Sequence, residues 1–216
     1  MSYETLHKDT WKTLFSLGVA REFEAGEVIY FQDEPGVGLV CLEQGKIKNC
    51  VFFADGTEKI LCILEAPSMT GETAVIDGGS TICSAIAVCK TKVVFIPVET
   101  AREFLLSNPG LMMIIMNTMA KKMRSIQMQA EDMASNIPQR LARMLLNCNK
   151  YGMFTHKEKE KHLIITHDEL ANFLGTTRPK ITEHLNIFMK QGLIEKGRGY
   201  ITIKNVEGLK KISQTS

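Results

Sequence analysis

Residues 166–203 read THDELANFLGTTRPKITEHLNIFMKQGLIEKGRGYITI. The opening four, Thr166-His167-Asp168-Glu169, form a capping box: the threonine hydroxyl can accept the Glu169 N–H while the glutamate reaches back, so a helix starts here. It runs to Leu174 and stops at Gly175, which tolerates the left-handed conformation a sharp turn demands. Thr177 is then expected to cap a second helix, Arg178 to about Gln191, whose apolar Ile181, Leu185, Phe188 and Met189 face the first. Two helices joined by a short glycine-containing turn make a helix-turn-helix, whose second helix enters the major groove of DNA. Beyond it, Leu193-Ile194-Glu195 and Tyr200-Ile201-Thr202-Ile203 flank Lys196-Gly197-Arg198-Gly199, which reads as a β-hairpin wing with a cationic tip. Lys196 and Arg198 are placed there to meet phosphates, contacts that fix register and carry no sequence information.

Upstream, Asn136-Ile137-Pro138 reads as another helix start, with Asn136 as N-cap and Pro138 in the first turn, where its missing N–H does no harm. That helix carries Leu141, Met144, Leu145 and Cys148 at helical spacing and is expected to end at Gly152, before a solvated polar stretch at 155–162. From Asn108 to 135 the period is that of a heptad seam: Met112, Met116, Met119, Met123, Ile126, Ala130 and Met133 recur at alternating steps of four and three. A stripe this narrow suits a second helix, so the segment is expected to pair with its own copy, while Leu111, Ile114, Ile115 and Met128 offer a second apolar face. From Phe23 to Val98 the text is short β-type runs broken by turn signals such as Asp55-Gly56, which predicts a β-sandwich or rolled barrel without helix.

The formal net charge of +2 hides an asymmetry: residues 1–135 carry 12 Lys and Arg against 17 Asp and Glu, whereas residues 136–216 carry 14 against 7. The basic C-terminal part is the expected polyanion binder. No apolar run reaches the roughly 18 residues a membrane helix needs, and no apolar leader opens the chain, so a cytoplasmic protein with no membrane partner is expected. The six cysteines show no Cys-x-x-Cys spacing, and most are expected to be buried small hydrophobes.

These features together resemble the Crp–Fnr family of bacterial transcription regulators. The resemblance runs over nearly the whole chain: Phe23-x-x-Gly26-Glu27, Leu42-Glu-x-Gly45-Lys-Ile47 and Gly71-Glu72 in the β-type text, Asn108-Pro109 opening the long helix, and a winged helix-turn-helix ending in Gly192-Leu193-Ile194. It implies an α+β fold in three parts. A cyclic-nucleotide-binding-type β-roll over 1–107 would sense the effector, a dimerisation helix would span 108–135, and a winged helix-turn-helix over 136–216 would bind DNA. It also implies a homodimer on a palindromic operator, with RNA polymerase as a further partner and no enzymatic activity.

Aligned on the family's cyclic-AMP-binding members, Cys83 falls where an arginine neutralises the cyclic phosphate, followed by Ser84. A buried phosphate without a fixed cation is costly, and a thiol cannot make arginine's bidentate contact. Ile126-Gln127 falls where those members contact adenine, and Lys122 where an arginine pairs with the glutamate retained here as Glu72. The resemblance therefore implies a pocket of Gly71, Glu72, Cys83, Ser84, Lys122, Ile126 and Gln127 for an unidentified, less charged small-molecule effector rather than cyclic AMP. No cofactor or metal is specified. An Fnr-type iron–sulfur cluster lacks its N-terminal cysteines, and haem lacks a histidine between residues 8 and 155. On the DNA side, Arg178 matches the family's first base-reading arginine, Pro179 replaces a glutamate, and Glu183 stands where a second arginine is usual. Thr177, Lys180, Thr182 and Asn186 are further expected contacts to phosphates or base edges. Two rival readings are a thiol-responsive regulator using Cys83 and Cys89, expected on one strand, and a cupin-like metalloenzyme. The second would need histidine ligands in the roll.

Overall fold

The computed structural model describes residues 3–148, 162–197 and 200–214. The chain divides into two compact units, one made of residues 1–52 with 63–121 and the other of 53–62 with 122–216.

In the first unit, α1 (Tyr3–Ser16) leads into a roll of short strands. These are β1 (Val19–Phe23), β2 (Val28–Tyr30), β3 (Leu39–Gln44), β4 (Lys46–Phe52), β5 (Glu58–Glu65), whose residues 58–62 are counted with the second unit, β6 (Ser68–Thr70), β7 (Ser84–Ala87) and β8 (Thr91–Ile96). Two four-stranded sheets result, ordered β1-β8-β3-β6 and β2-β7-β4-β5. The first is antiparallel throughout, with Val40 opposite both Phe95 and Thr70. The Asp55-Gly56 turn closes as expected: Gly56 has φ 82° and Thr57 N–H donates to Asp55 Oδ1 at 2.9 Å, which holds that exposed carboxyl below its usual range. The expectation of no helix between Phe23 and Val98 fails at α2 (Glu72–Asp77), a six-residue helix bounded by Gly71 and Gly78, both left-handed. It is shorter than any periodicity can register, and its two glycines read equally well as loop.

After α3 (Val98–Ser107), α4 (Pro109–Asp132) begins at the proline after Asn108. Its Leu111, Ile114 and Ile115 enter a core with Trp11 and Leu14 of α1, Leu39 and Cys41 of β3, Met69 of β6, Val75 of α2, Val94 and Ile96 of β8 and Ala101 of α3. Each of the Leu, Ile, Val and Met side chains among them contributes about 1.5–3 kcal/mol on full burial, which fixes helices α1, α3 and α4 on the β3–β8 face.

In the second unit, α5 (Ile137–Asn147) starts at a capping box in which Asn136 accepts from Gln139 N–H and Gln139 reaches back. Its C-cap is Cys148, so the expected end at Gly152 lies outside the described residues, as does most of the polar stretch. There follow β9 (His162–Leu163), α6 (His167–Leu174), α7 (Arg178–Lys190), β10 (Ile194–Gly197), β11 (Tyr200–Ile203) and α8 (Val206–Gln214). The three strands form one antiparallel sheet ordered β10-β11-β9. The Thr166–Glu169 capping box is complete in both directions. Gly175 takes φ 64° and ψ 50°, which turns the chain from α6 into α7.

Arg143 of α5 joins the last turn of α4 to the C-terminal helix. Its Nε donates to Asp132 Oδ1 at 2.6 Å, one Nη donates to Ser135 Oγ, and the other donates to the Ser213 carbonyl at 3.1 Å. Asp132 is buried while Arg143 keeps one edge in water.

Candidate nucleic-acid interface and effector site

The recognition helix α7 is held by an apolar stripe, Ile181, Leu185 and Phe188, all buried. Met189 does not join it and is 41% exposed. Eight residues past Ile181 it stands about 80° round the helix, at the edge of the stripe. The opposite face carries the residues expected to meet DNA: Thr177, Arg178, Lys180 and Glu183 are exposed, and Thr182 and Asn186 are half-buried. Thr177 occupies the N-cap position in an extended conformation, but its side chain makes no capping bond.

Several of these side chains are already held. Arg178 Nη1 lies 3.3 Å from Asp168 Oδ2, both exposed. Thr182 Oγ1 is 2.8 Å from His167 Nδ1. Lys196 Nζ of β10 donates to Asn186 Oδ1 at 2.6 Å. Burial, then the Lys196 and Arg178 charges, push His167 below the ordinary histidine range, with Asp168 pulling the other way. Gly197 has no Cβ for a reason: one built there would lie 2.2 Å from the Tyr200 ring. The wing tip, including Arg198, lies outside the described residues.

The expected effector residues fall in both units. Gly71, Glu72, Cys83 and Ser84 belong to the roll; Lys122, Ile126 and Gln127 belong to the other unit. Gly71 has φ 82°, and a Cβ there would approach the Gly38 carbonyl oxygen to 2.3 Å, so the residue that opens α2 must be glycine. Glu72, Cys83 and Ser84 are buried, and Ser84 Oγ accepts from Gln32 N–H at 3.0 Å. On α4, Lys122 is half-buried, while Ile126 and Gln127 are exposed, with Gln127 Nε2 donating to Glu131 Oε1 at 3.0 Å.

The sequence reading missed a polar network inside the roll. Tyr30 OH lies 2.6 Å from Thr70 Oγ1, and Asn49 Nδ2 donates to the same hydroxyl at 2.9 Å. Asn49 Oδ1 is buried with no hydrogen-bond partner. Tyr30 also lies beside Cys83 and Glu72, and burial first, then those neighbours, push its phenol well above the usual tyrosine range. The only sequence signals were a tyrosine and an asparagine at inward positions of β2 and β4. Cys83 and Cys89 do not share a strand, because β7 covers only Ser84–Ala87, and Cys89 is exposed where burial was expected of it. The other five thiols are buried, and burial drives Cys41 up to about 12.

A chamber of about 420 Å³ in the second unit was also not anticipated. Phe53, Leu61, Phe173 and Leu174 supply apolar walls, and Lys59, Arg140 and Asp132 supply charge. Lys59 donates to the Phe173 carbonyl at the end of α6 and lies 5.8 Å from the Phe173 ring centroid. Burial, then the Arg140 charge, lowers its amine to about 8, against the pull of Asp132. Seam residues Ile126, Ala130 and Met133 also line this chamber. Elsewhere on the seam, Met112, Met116 and Met123 are exposed, while Met119 packs against the roll core.

Among the described residues, no group of three or more His, Cys, Asp or Glu is arranged to hold a metal ion, and no helix is long and apolar enough to cross a membrane.

Comparison with known proteins follows the same division. Residues 20–108 match the cyclic nucleotide-binding domain family, and residues 139–212 match the Crp-like helix-turn-helix domain family. The CRP-like cAMP-activated global transcriptional regulator of Mycobacterium tuberculosis is 25% identical over 194 residues, 87% of this chain and 85% of the relative. Electron transport regulator A of Shewanella oneidensis is 29% identical over 185 residues, 85% of this chain and 74% of the relative. The solved structure of FixK2 from Bradyrhizobium japonicum superposes with a TM-score of 0.77 at 16% identity, covering 92% of this chain and 98% of that one. With a cyclic-nucleotide-binding-type roll, a Crp-like helix-turn-helix and relatives that are regulators along most of its length, the chain belongs to the Crp–Fnr family of DNA-binding transcription regulators.

Proposed function

We propose that the protein is an effector-responsive regulator that binds a palindromic operator as a homodimer in the cytoplasm and is not controlled by cyclic AMP. In this reading the division of labour is roll (1–107), dimerisation helix (108–135) and winged helix-turn-helix (136–216). The observation that carries it is the uncovered seam of α4: Met116 and Met123 are 60% and 69% exposed in the single chain, and Met133, just past the end of the helix, is 81% exposed. A helix of 24 residues does not leave that much apolar surface in water without a use for it. Two copies joined along it would carry two recognition helices, which must match successive major grooves about 34 Å apart.

Arg178 reads a guanine in this scheme. Lys180, Thr182 and Asn186 contact backbone or base edges, Thr177 and Glu183 lie at the margin of the interface, and Lys196 and Arg198 grip phosphates. RNA polymerase is the expected second partner at promoters. The effector binds around Glu72, Cys83 and Ser84 of the roll; Lys122, Ile126 and Gln127 of α4 are the further residues that the family resemblance assigns to sensing. Buried Cys83 in place of a guanidinium, with Tyr30 beside it, supports an effector without a cyclic phosphate. A thiol-responsive version has little support, since Cys89 alone of the two thiols it needs is exposed.

Light scattering at micromolar concentration tests the dimer: wild type is expected to be dimeric and Met116→Glu monomeric. A monomeric wild type, alone and on a duplex carrying its selected site, would sink the scheme. Thermal shift tests the effector. Cyclic AMP is expected to leave the melting temperature unchanged, and a concentration-dependent rise would overturn the reading of Cys83.

A further inference from the structure

Three polar side chains on α7, Arg178, Thr182 and Asn186, stand one turn apart, and each is engaged by a residue from outside the helix: Asp168, His167 and Lys196. The middle pair differs from the others because an imidazole changes its hydrogen-bonding character with one proton. The charged groups facing the ring are Asp168 on its own helix, Arg178 on α7 and Lys196 on β10. Without DNA, burial and the two cations keep the ring neutral near pH 7. A neutral ring with a bare Nδ1 accepts from the Thr182 hydroxyl, which commits that hydrogen inward.

Resting on the reading of α7 as the DNA-facing helix, we propose that His167 is a proton-linked positioning residue: it takes up a proton when α7 seats against the duplex, and so turns Thr182 into a donor toward the DNA. The same two cations that disfavour a charged ring are groups that meet DNA in that reading, Lys196 at a phosphate and Arg178 at a guanine. A phosphate set against Lys196, with the guanine O6 and N7 acceptors set against Arg178, offsets their positive charge, and the phosphate adds its own negative charge beside the ring. Once protonated, both ring nitrogens donate. Nδ1–H then donates to Thr182 Oγ1, and the hydroxyl hydrogen is released to a phosphate oxygen, a guanine O6 or N7, or a thymine O4. Nε2–H becomes a charge-assisted donor that the neutral accepting tautomer already carries, but now with a full positive charge behind it.

The test uses the full-length protein and a labelled duplex bearing the site that wild type selects from a randomised library. Affinity is measured from about pH 5.5 to about pH 8.5 at constant ionic strength, the range in which histidine titrates. Wild type is expected to bind about tenfold more tightly at the acid end for each unit by which the ring's pKa rises on binding. Calorimetry in two buffers of different ionisation heat should register proton uptake at neutral pH. His167→Gln is expected to abolish the uptake and the slope, while His184→Gln on α7 keeps both. If His167→Gln does not fold, Thr182→Val serves: it keeps the ring but has no hydroxyl to release, and the slope shrinks. A loss of affinity in His167→Gln that is equal at every pH, or a wild type that binds without a slope, overturns the inference and leaves the DNA reading intact. Failure of wild type to select any duplex would overturn both.

Discussion

The interior of the roll and the outer face of α7 are both built from polar side chains that have found partners, yet water reaches only one of them. In the roll, Tyr30, Thr70 and Asn49 share one hydroxyl as their meeting point, and all three are buried. On α7, Arg178, Thr182 and Asn186 each have one partner and stand exposed or half-exposed. A buried network is costly to break, because whatever is left behind has no solvent to turn to. A surface network yields to a competitor at small cost, since water or a phosphate replaces what is lost. The same chemistry therefore serves to fix a pocket's shape in one place and to hold side chains ready for exchange in the other.

Four substitutions break or sharpen that contrast. The largest effect is expected from Phe173→Ala: the ring is fully buried in α6, and such a truncation costs about 3–5 kcal/mol, seen as a lower denaturant midpoint with loss of DNA binding. Next, Tyr30→Phe removes the phenol from the buried network and should cost about 1–3 kcal/mol, measured the same way. A loss below about 0.5 kcal/mol would mean that the network is surface-like after all. Asn186→Ala is the matching cut on α7. Stability should change by less than about 0.5 kcal/mol, while operator affinity falls severalfold in a mobility-shift assay.

The smallest effect is a pH dependence. Folding lowers the Lys59 amine from 10.5 to about 8, so the folded state binds fewer protons than the unfolded chain between those limits. Stability from this group is therefore gained as pH rises from about 8 towards 10.5, and lost again as pH falls back through that window. Lys59→Met is expected to flatten that rise when denaturant midpoints are compared at about pH 7.5 and about pH 10.

What could be read from the sequence was what is local in it. The capping boxes at Thr166–Glu169 and Asn136–Gln139 each close over three residues, so their partners sit side by side in the text, and both are present in the structure. The helix-turn-helix, its glycine turn and the strands of the wing follow from the same short-range rules. Thr177 takes the expected N-cap position but makes no capping bond, which nothing in the structure explains, since Asn136 caps α5 with a proline at the same second position. Met189 misled because it borders the stripe without belonging to it. The Tyr30–Thr70–Asn49 network was invisible for a different reason: its members are 40 and 21 residues apart, and only the roll brings them together. The chamber beside Lys59 hid in the same way, since its walls come from residues 53–61, 126–140 and 173–175.

The Arg143 clasp has a practical corollary for anyone handling this protein. One guanidinium ties the end of the long helix, the bend after it and the carbonyl of Ser213 into a single knot. A fusion that disturbs the final turn of α8 is thus felt at the bend between α4 and α5, so purification handles are better kept away from that turn.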